Sequence, residues 1–331
     1  MNDIGHPEVS VIMSVYDGEK HLRESIESVL SQTLFHFEFI IVDDGSKDSS
    51  SQIIQSYSDS RIKFIQNQCN IGLTRSLNAA IKEAKGKYIA RHDCDDISLP
   101  HRLEKQKQEL DKNESILAAT GVIHIFNDSN INVKYIPPVQ ENVFNKRILG
   151  KNLLIHSSIM FKNHEGVHYR DKFYYAQDYD LYLRLLSEGN KITVFPEFLL
   201  KYRISKNTIS SKKRVHQLLF MKKAKEFFDE RMLYGKDNYD SFDPSQILSL
   251  DVEQFRDIDL LRAQLNTDFS SGYFKELRQL YKKYFRLANF DRYILLYVSS
   301  FLPHRFVAFI NKIFLKIIYQ SWHSSSPRQK L

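Results

Sequence analysis

Cysteine is scarce in this chain, and long apolar runs are missing. The 331 residues include two cysteines, Cys69 and Cys94. They lie in unrelated contexts, with neither a paired-cysteine metal motif nor a disulfide framework around them, so both are read as reduced thiols. No uninterrupted apolar stretch reaches the roughly 18 residues that a membrane-spanning helix needs. The opening Met1-Asn2-Asp3-Ile4-Gly5-His6-Pro7 has neither the basic region nor the apolar core of a signal peptide. A cytoplasmic protein is the expectation. Long low-complexity tracts are missing too, which argues against disorder.

The composition is globular, with 42% hydrophobic and 26% charged residues, 18 Tyr and 23 Phe. Length suits one large domain plus an appendage. The net charge of +7 raises anionic partners, namely nucleic acid, acidic lipid or phosphorylated substrate. Basic residues recur after position 205 (Lys212-Lys213-Arg214, Lys222-Lys223, Lys282-Lys283), whereas the acidic clusters lie mostly in the first 180 residues. No nucleic-acid motif accompanies the charge, so no nucleic-acid partner is expected.

Val9 to Val15 is an almost continuous β-branched and apolar run, the pattern of a strand buried on both faces of a parallel sheet. Leu22, Ile26, Val29 and Leu30 then recur at helical spacing between His21 and Ser31. Phe37 to Val42 is a second buried strand and runs into Asp43-Asp44-Gly45-Ser46. Strand, helix and strand within about 40 residues form a βαβ unit, whose ligands sit beyond the carboxyl ends of the strands. Ser49 to Tyr57 reads as a short helix and Arg61 to Ile65 as a third strand. Leu73, Leu77, Ala80, Ile81 and Ala84 make another helical stripe after the turn Asn70-Ile71-Gly72. Residues 116 to 126 read as a strand, and 131 to 150 as a connection through Pro137-Pro138. The class is α/β.

Lys87-Tyr88-Ile89-Ala90 feeds the stretch Arg91-His92-Asp93-Cys94-Asp95-Asp96, and Pro100 soon afterwards opposes regular strand pairing. Three carboxylates at a strand end repel one another unless a cation arrives, and Asp oxygens suit hard divalent ions such as Mg²⁺ or Mn²⁺. A metal-chelated diphosphate is the simplest guest. An acidic turn in solvent is the blander alternative for such a stretch by itself.

Together, Val9 to Tyr16, Ile41-Val42-Asp43-Asp44-Gly45-Ser46, Asn70-Ile71-Gly72 with Asn78, Arg91-x-Asp93-x-Asp95-Asp96 with Pro100-x-Arg102-Leu103, and Gln177-Asp178-Tyr179-Asp180-Leu181-x-Leu183-Arg184 resemble the family 2 glycosyltransferases over roughly residues 7 to 210. The resemblance implies the GT-A fold, a mixed sheet flanked by helices. It also implies an inverting enzyme that uses a nucleotide-sugar donor and a divalent metal, Mn²⁺ or Mg²⁺. On the matching positions, Asp95 would hold the metal, Asp93 the metal or ribose, and Asp96 the donor sugar. Ser14, Tyr16, Asp43, Asp44 and Gly72 would form the nucleotide pocket, with Asp43 accepting from a uracil-type imide. Asp178 would be the base. Asp180 and Arg184, spaced i and i+4, are expected to form a structural ion pair.

His156, Gln177 and Arg203 are the acceptor-side candidates. Gln177 stands where the family usually carries an acidic residue, and Ile204-Ser205 stand where it often carries a histidine. Residues 1 to 211 are expected to be the catalytic domain and 212 to 331 a helical region. In the latter, Phe306, Ile310, Ile313, Phe314 and Ile317 form one stripe while Arg305, Lys312 and Lys316 lie on another. Such a basic amphipathic helix either lies in a membrane interface, at the inner face of the cytoplasmic membrane, or caps a bundle. The expected reaction is transfer from a UDP-sugar to a glycan or lipid-linked acceptor of a cell-surface polysaccharide. Two alternatives stand beside it. A sugar-nucleotide nucleotidyltransferase needs a Gly-rich basic loop where Tyr16-Asp17-Gly18-Glu19 stands, and a non-catalytic glycan- or nucleotide-binding scaffold does not need all the acidic positions.

Overall fold

Burial of the strands on both faces is met by two helical layers. The computed structural model describes residues 6–126, 132–204, 213–250 and 281, and the chain divides into two compact units, Met1–Leu248 and Ser249–Leu331. The first unit carries the parallel strands β1 (Val9–Val15), β2 (Phe37–Asp43), β3 (Ile62–Gln66) and β4 (Tyr88–Arg91). Between them run the helices α1 (Glu19–Leu30), α2 (Ser50–Gln55) and α3 (Leu73–Glu83). Val9, Val11, Met13 and Val15 of β1 pack with Leu22, Ile26 and Val29 of α1. Ile12 faces the other way, into a cluster with Leu77 and Ala80 of α3. Period-two alternation in a strand and 3.6-residue spacing in its helices thus give sheet faces that are both apolar, each fully buried Val, Leu or Ile contributing about 1.5–3 kcal/mol.

Five further strands complete a mixed nine-stranded sheet: β5 (Ile97–Ser98), β6 (Leu117–Phe126), β7 (Asn132–Tyr135), β8 (Ile159–Lys162) and β9 (Ile192–Ile204). The order is β3-β2-β1-β4-β8-β6-β9-β5, with β7 on β6. β8 runs antiparallel to β4 and β6, while β9 runs parallel to β6. The helices α4 (Arg102–Lys112), α5 (Glu141–Ile148), α6 (Gln177–Ser187), α7 (Arg214–Tyr234) and α8 (Ser245–Leu248) follow in chain order.

Two segments differ from the sequence-based expectation. Residues 131 to 150 are more than a connection: β7 pairs with β6, and α5 buries Phe144 and Ile148 one turn apart. A two-residue strand also precedes Pro100, because β5 bonds to β9 through Ile97 and Ser98 and ends before the proline ring is reached. The expected amphipathic stripe at 305 to 319 lies outside the described residues. Among those described, no helix is long and apolar enough to cross a membrane.

The expected Asp180–Arg184 pair is corrected by the fold. The buried Asp180 carboxylate is bonded by both Nε (2.9 Å) and Nη2 of Arg170, while Arg184 donates to the carbonyl of His168. Arg170 also pairs with Asp237 at 2.7 Å and lies 4.3 Å from the Tyr239 ring centroid, beside Phe173 and Phe227. A guanidinium that deep needs a carboxylate more than an exposed one does, so the non-local partner wins over the i+4 neighbour. Asp180→Asn is therefore expected to destabilise by about 3 kcal/mol, lowering the thermal midpoint by roughly 5–10 °C. Arg184→Ala should cost far less, and equal losses in a melting comparison would contradict the assignment.

Candidate active site

The carboxyl ends of β1, β2 and β4 meet at one rim because these three strands are parallel neighbours. Val15 is in register with Asp43, and Ile12 with Arg91. Ser14, half-buried, and Tyr16, 45% exposed, close β1. Asp43 is fully buried at the end of β2; its Oδ1 accepts the N–H of Ser46 at 3.0 Å, and its Oδ2 has no hydrogen-bond partner among the described residues. A buried acceptor left open is costly unless a ligand donor satisfies it.

Asp44 has a different task. Its Oδ1 accepts from Asn67 and from the N–H of Ile71, and its Oδ2 from the N–H of Gly72, all at 2.9 Å. The Asn70-Ile71-Gly72 turn is thereby fixed to the end of β2. Gly72 sits at φ 93° and ψ 152°, a region essentially closed to residues with a Cβ. At Gly45 (φ 74°) a Cβ would lie 2.6 Å from the backbone of Cys69, so glycine lets the two loops touch.

The acidic stretch after β4 is built around a buried cation. Arg91 is 1% exposed and ion-paired to Asp93. Carboxylate oxygens of Asp93, Asp95 and Asp96 all lie within 4.8 Å of one another. Burial works against the Arg91 charge, but Asp93 outweighs it and holds the guanidinium protonated. Burial, reinforced by the charge of Asp93, pushes Asp95 up to about 6 and Asp96 well above the ordinary carboxylate range. The carboxylates crowd one another and the donor set is all oxygen, so the cluster fits a hard divalent ion. The Cys94 thiol between them is held protonated by burial and the same acidic neighbours, which disqualifies it as a nucleophile.

Behind the cluster the polar groups are matched donor to acceptor. Arg102 donates from Nη2 to the Arg91 carbonyl at 2.6 Å and from Nη1 to His92 Nδ1 at 3.2 Å. Because arginine only donates, Nδ1 must accept, so the proton of neutral His92 is on Nε2, which reaches Ser25 Oγ at 3.1 Å. Ser25 in turn donates to the Asp93 carbonyl at 2.8 Å. Burial and the two arginines keep the His92 imidazole neutral. Asp96 is fully buried with both oxygens engaged: Oδ1 accepts the Arg203 N–H at 2.8 Å and Oδ2 the Ser157 hydroxyl. It ties β9 and the 3₁₀ turn His156–Ser158 to the cluster, leaving Asp93 and Asp95, each only partly buried, as the outward-facing pair.

Asp178 occupies the first turn of α6, directly after Ala176, which adopts φ 57°. Asn152 donates to its Oδ2 at 2.6 Å. Burial raises its pKa, and Asn152 and the backbone oppose that shift. No hydrogen bond joins Asp178 to the acidic triplet among the described residues, yet the charge of Arg91 acts on both Asp178 and Asp95. Gln177 is buried beside it. His156 Nε2 is 2.7 Å from the Tyr169 hydroxyl, and burial, then Arg91, keeps the imidazole neutral. The Arg203 guanidinium reaches the Asp95 carbonyl at 3.0 Å and Glu24 at 2.9 Å. Arg91, Asn152, Ser157 and Tyr169 are the site residues that sequence reasoning did not single out. An arginine closing an apolar strand just before an acidic cluster was the available signal for the first.

The model of the family described as "Glycosyl transferase family 2" matches residues 10–169. An uncharacterized glycosyltransferase of Methanocaldococcus jannaschii is 39% identical over 212 residues, covering 62% of this chain and 73% of that protein. The UDP-Glc:alpha-D-GlcNAc-diphosphoundecaprenol beta-1,3-glucosyltransferase of Escherichia coli is 34% identical over 207 residues, 62% of this chain and 80% of that one. Among solved structures, S. aureus TarS in complex with UDP-GlcNAc superposes with a TM-score of 0.55 at 18% identity, over 88% of this chain and 90% of that one.

A pH-dependent metal effect follows from the triplet. Asp95 titrates near 6 in the folded chain against an ordinary 3.8. Its ionisation is thus disfavoured by folding, and stability is lost as pH rises from about 4 through about 6. In the ligand-free protein the thermal midpoint should fall between pH 5 and pH 7.5. Mn²⁺ should restore about 5 °C or more at pH 7.5 and much less at pH 5, where Asp95 keeps its proton. An equal Mn²⁺ effect at both pH values in a melting assay would contradict the assignment.

Proposed function

The chain belongs to the family 2 glycosyltransferases, and from that membership we propose that it moves a sugar from a UDP-sugar, with inversion, onto a glycan or lipid-linked acceptor in the synthesis of a cell-surface polysaccharide. Its mixed sheet with flanking helices is the GT-A fold that the motifs imply. The observation that carries the reading is the cluster Asp93, Asp95 and Asp96 at the rim where Asp43 keeps a buried oxygen open. The uridine and lipid-linked parts draw support from the names of the E. coli and S. aureus proteins. Action at the inner face of the cytoplasmic membrane rests on the stripe at 305 to 319.

In this reading Asp43 Oδ2 accepts the imide N–H of the base, and the turn held by Asp44 offers backbone at Gly72. Tyr16 and Ser14 complete the pocket wall. Asp95 and Asp93 would hold the divalent ion, which would supply Lewis acidity for the leaving diphosphate. Asp96 keeps that pair aligned while tied to Arg203 and Ser157 and borders the donor sugar. Arg203, anchored by Glu24 and the Asp95 carbonyl, stands with the acceptor-side group. Asp178 takes the proton of the acceptor hydroxyl as the new bond forms. Gln177 and His156, both neutral, line the acceptor side.

The nucleotidyltransferase alternative loses its main support in the loop after β1. That loop is latched by acceptor side chains, Ser46 to the N–H of Asp17 and Asp48 to that of Glu19, and it presents no lysine or arginine between Tyr16 and Glu19.

Removing the basicity of Asp178 while keeping its shape isolates the proton transfer. Asp178→Asn should lower kcat by at least about 10² with UDP affinity nearly unchanged. Transfer rates for a panel of UDP-, GDP- and dTDP-sugars, measured beside UDP affinity, check this. Near-normal turnover in Asp178→Asn, or no release from any UDP-sugar, would overturn the reading.

A further inference from the structure

Asn152 precedes an anchored segment. Leu153 and Leu154 are buried in the core, and the Tyr135 hydroxyl donates to the Leu153 carbonyl at 2.8 Å. The Asn152 side chain makes two bonds: Oδ1 accepts the Leu154 N–H at 3.1 Å, and Nδ2 donates to Asp178 Oδ2 at 2.6 Å. The first bond decides the orientation of the second. A backbone N–H can only donate, so the amide oxygen must face Leu154, and the NH₂ must face Asp178.

The carboxylate is thus gripped from outside its own helix by a donor whose direction the main chain sets. The other groups that act on it, among the described residues, are the backbone N–H of Tyr179 and its own, Arg91 from β4, Tyr169 from the segment before α6, and Tyr182 one turn along α6. Arg91 is committed to Asp93, and both tyrosines are held protonated by burial. Asn152 is therefore the one neutral side chain that both bonds Asp178 and is itself fixed.

We propose that Asn152 is the positioning residue for Asp178: it locks the carboxylate rotamer at the first turn of α6 and supplies the hydrogen bond that favours its ionised form. The proposal rests on Asp178 being the base. An Asn that served only as a turn former would use Oδ1 alone, through Leu154, and would leave the carboxylate untouched. The donor bond from Nδ2 is charge-assisted, of the stronger class. A carboxylate free to rotate spends part of its time out of line with the acceptor hydroxyl, and small misalignments of a reacting group cost large factors in rate.

The test is the titration of Asp178 itself in the full-length chain labelled with ¹³Cγ-aspartate, its resonance identified by loss in Asp178→Asn. Asn152→Ala removes the donor, and Asn152→Asp, close to isosteric, replaces it with a carboxylate. In both variants the Asp178 midpoint should move to higher pH, further in Asn152→Asp. Release of UDP from UDP-GlcNAc in Mn²⁺, with water as acceptor, should fall about fivefold or more on the acid side of the pH profile and recover toward wild type as the pH rises past the variant's own Asp178 midpoint. The thermal midpoint and UDP affinity report folding. An Asp178 midpoint unchanged in both folded variants would overturn the proposal and leave the base assignment standing. Wild-type release by Asp178→Asn would overturn the base assignment and with it the proposal's premise.

Discussion

One buried guanidinium sets the terms for the acidic rim. Arg91 closes β4 inside the protein, and a charge at that depth is tolerable only with carboxylates beside it. Asp93, Asp95 and Asp96 supply three where one would suffice, an all-oxygen donor set that suits a hard cation. The same arginine reaches toward His156, Tyr169 and Asp178 through its field. Its carbonyl is held by Arg102, whose other contacts fix the tautomer of His92 and, through Ser25, the carbonyl of Asp93. A polar layer in which Arg102, His92 and Ser25 are matched donor to acceptor therefore backs the acidic face.

Much of this rim was legible in the chain itself. Buried β-branched runs separated by amphipathic helices require parallel strands, and parallel strands require their ligand site at the carboxyl ends, so Asp43, Asp44 and the Asp93–Asp96 stretch had to share an edge. Gly72 was legible as the residue that ends a turn before a helix. What sequence did not reveal were partners fixed by non-local packing. Ser157 lies 61 residues from Asp96 and Asn152 26 from Asp178, and no periodicity connects them. The helix rule that paired Asp180 with Arg184 was a local rule applied where a buried, non-local arginine had the stronger claim. The two tethers of Asp96, to the Ser157 hydroxyl and the Arg203 backbone, are likewise set by non-local packing.

Two neighbouring aspartates thus show how environment divides one chemistry into separate tasks. Asp178 and Asp180 sit two residues apart on α6; one faces an amide, is partly buried and is raised in pKa, and the other is sealed against Arg170. Of the two, only Asp178 is left partly exposed. Asp43 and Asp44 divide in the same way, one keeping an open oxygen and the other spending both on the Ile71–Gly72 backbone and Asn67.

The central claim is that the triplet after β4 binds a nucleoside diphosphate through a divalent cation. Calorimetric titration of UDP into the full-length protein, in Mn²⁺ and then in EDTA, for wild type and Asp95→Asn, tests it most directly. The account predicts UDP binding that weakens at least about tenfold in EDTA and, in Mn²⁺, by a comparable factor in Asp95→Asn, a difference of about 1.4 kcal/mol or more. Equal affinity for UDP in Mn²⁺ and in EDTA, or an Asp95→Asn protein that binds as wild type does in Mn²⁺, would contradict it.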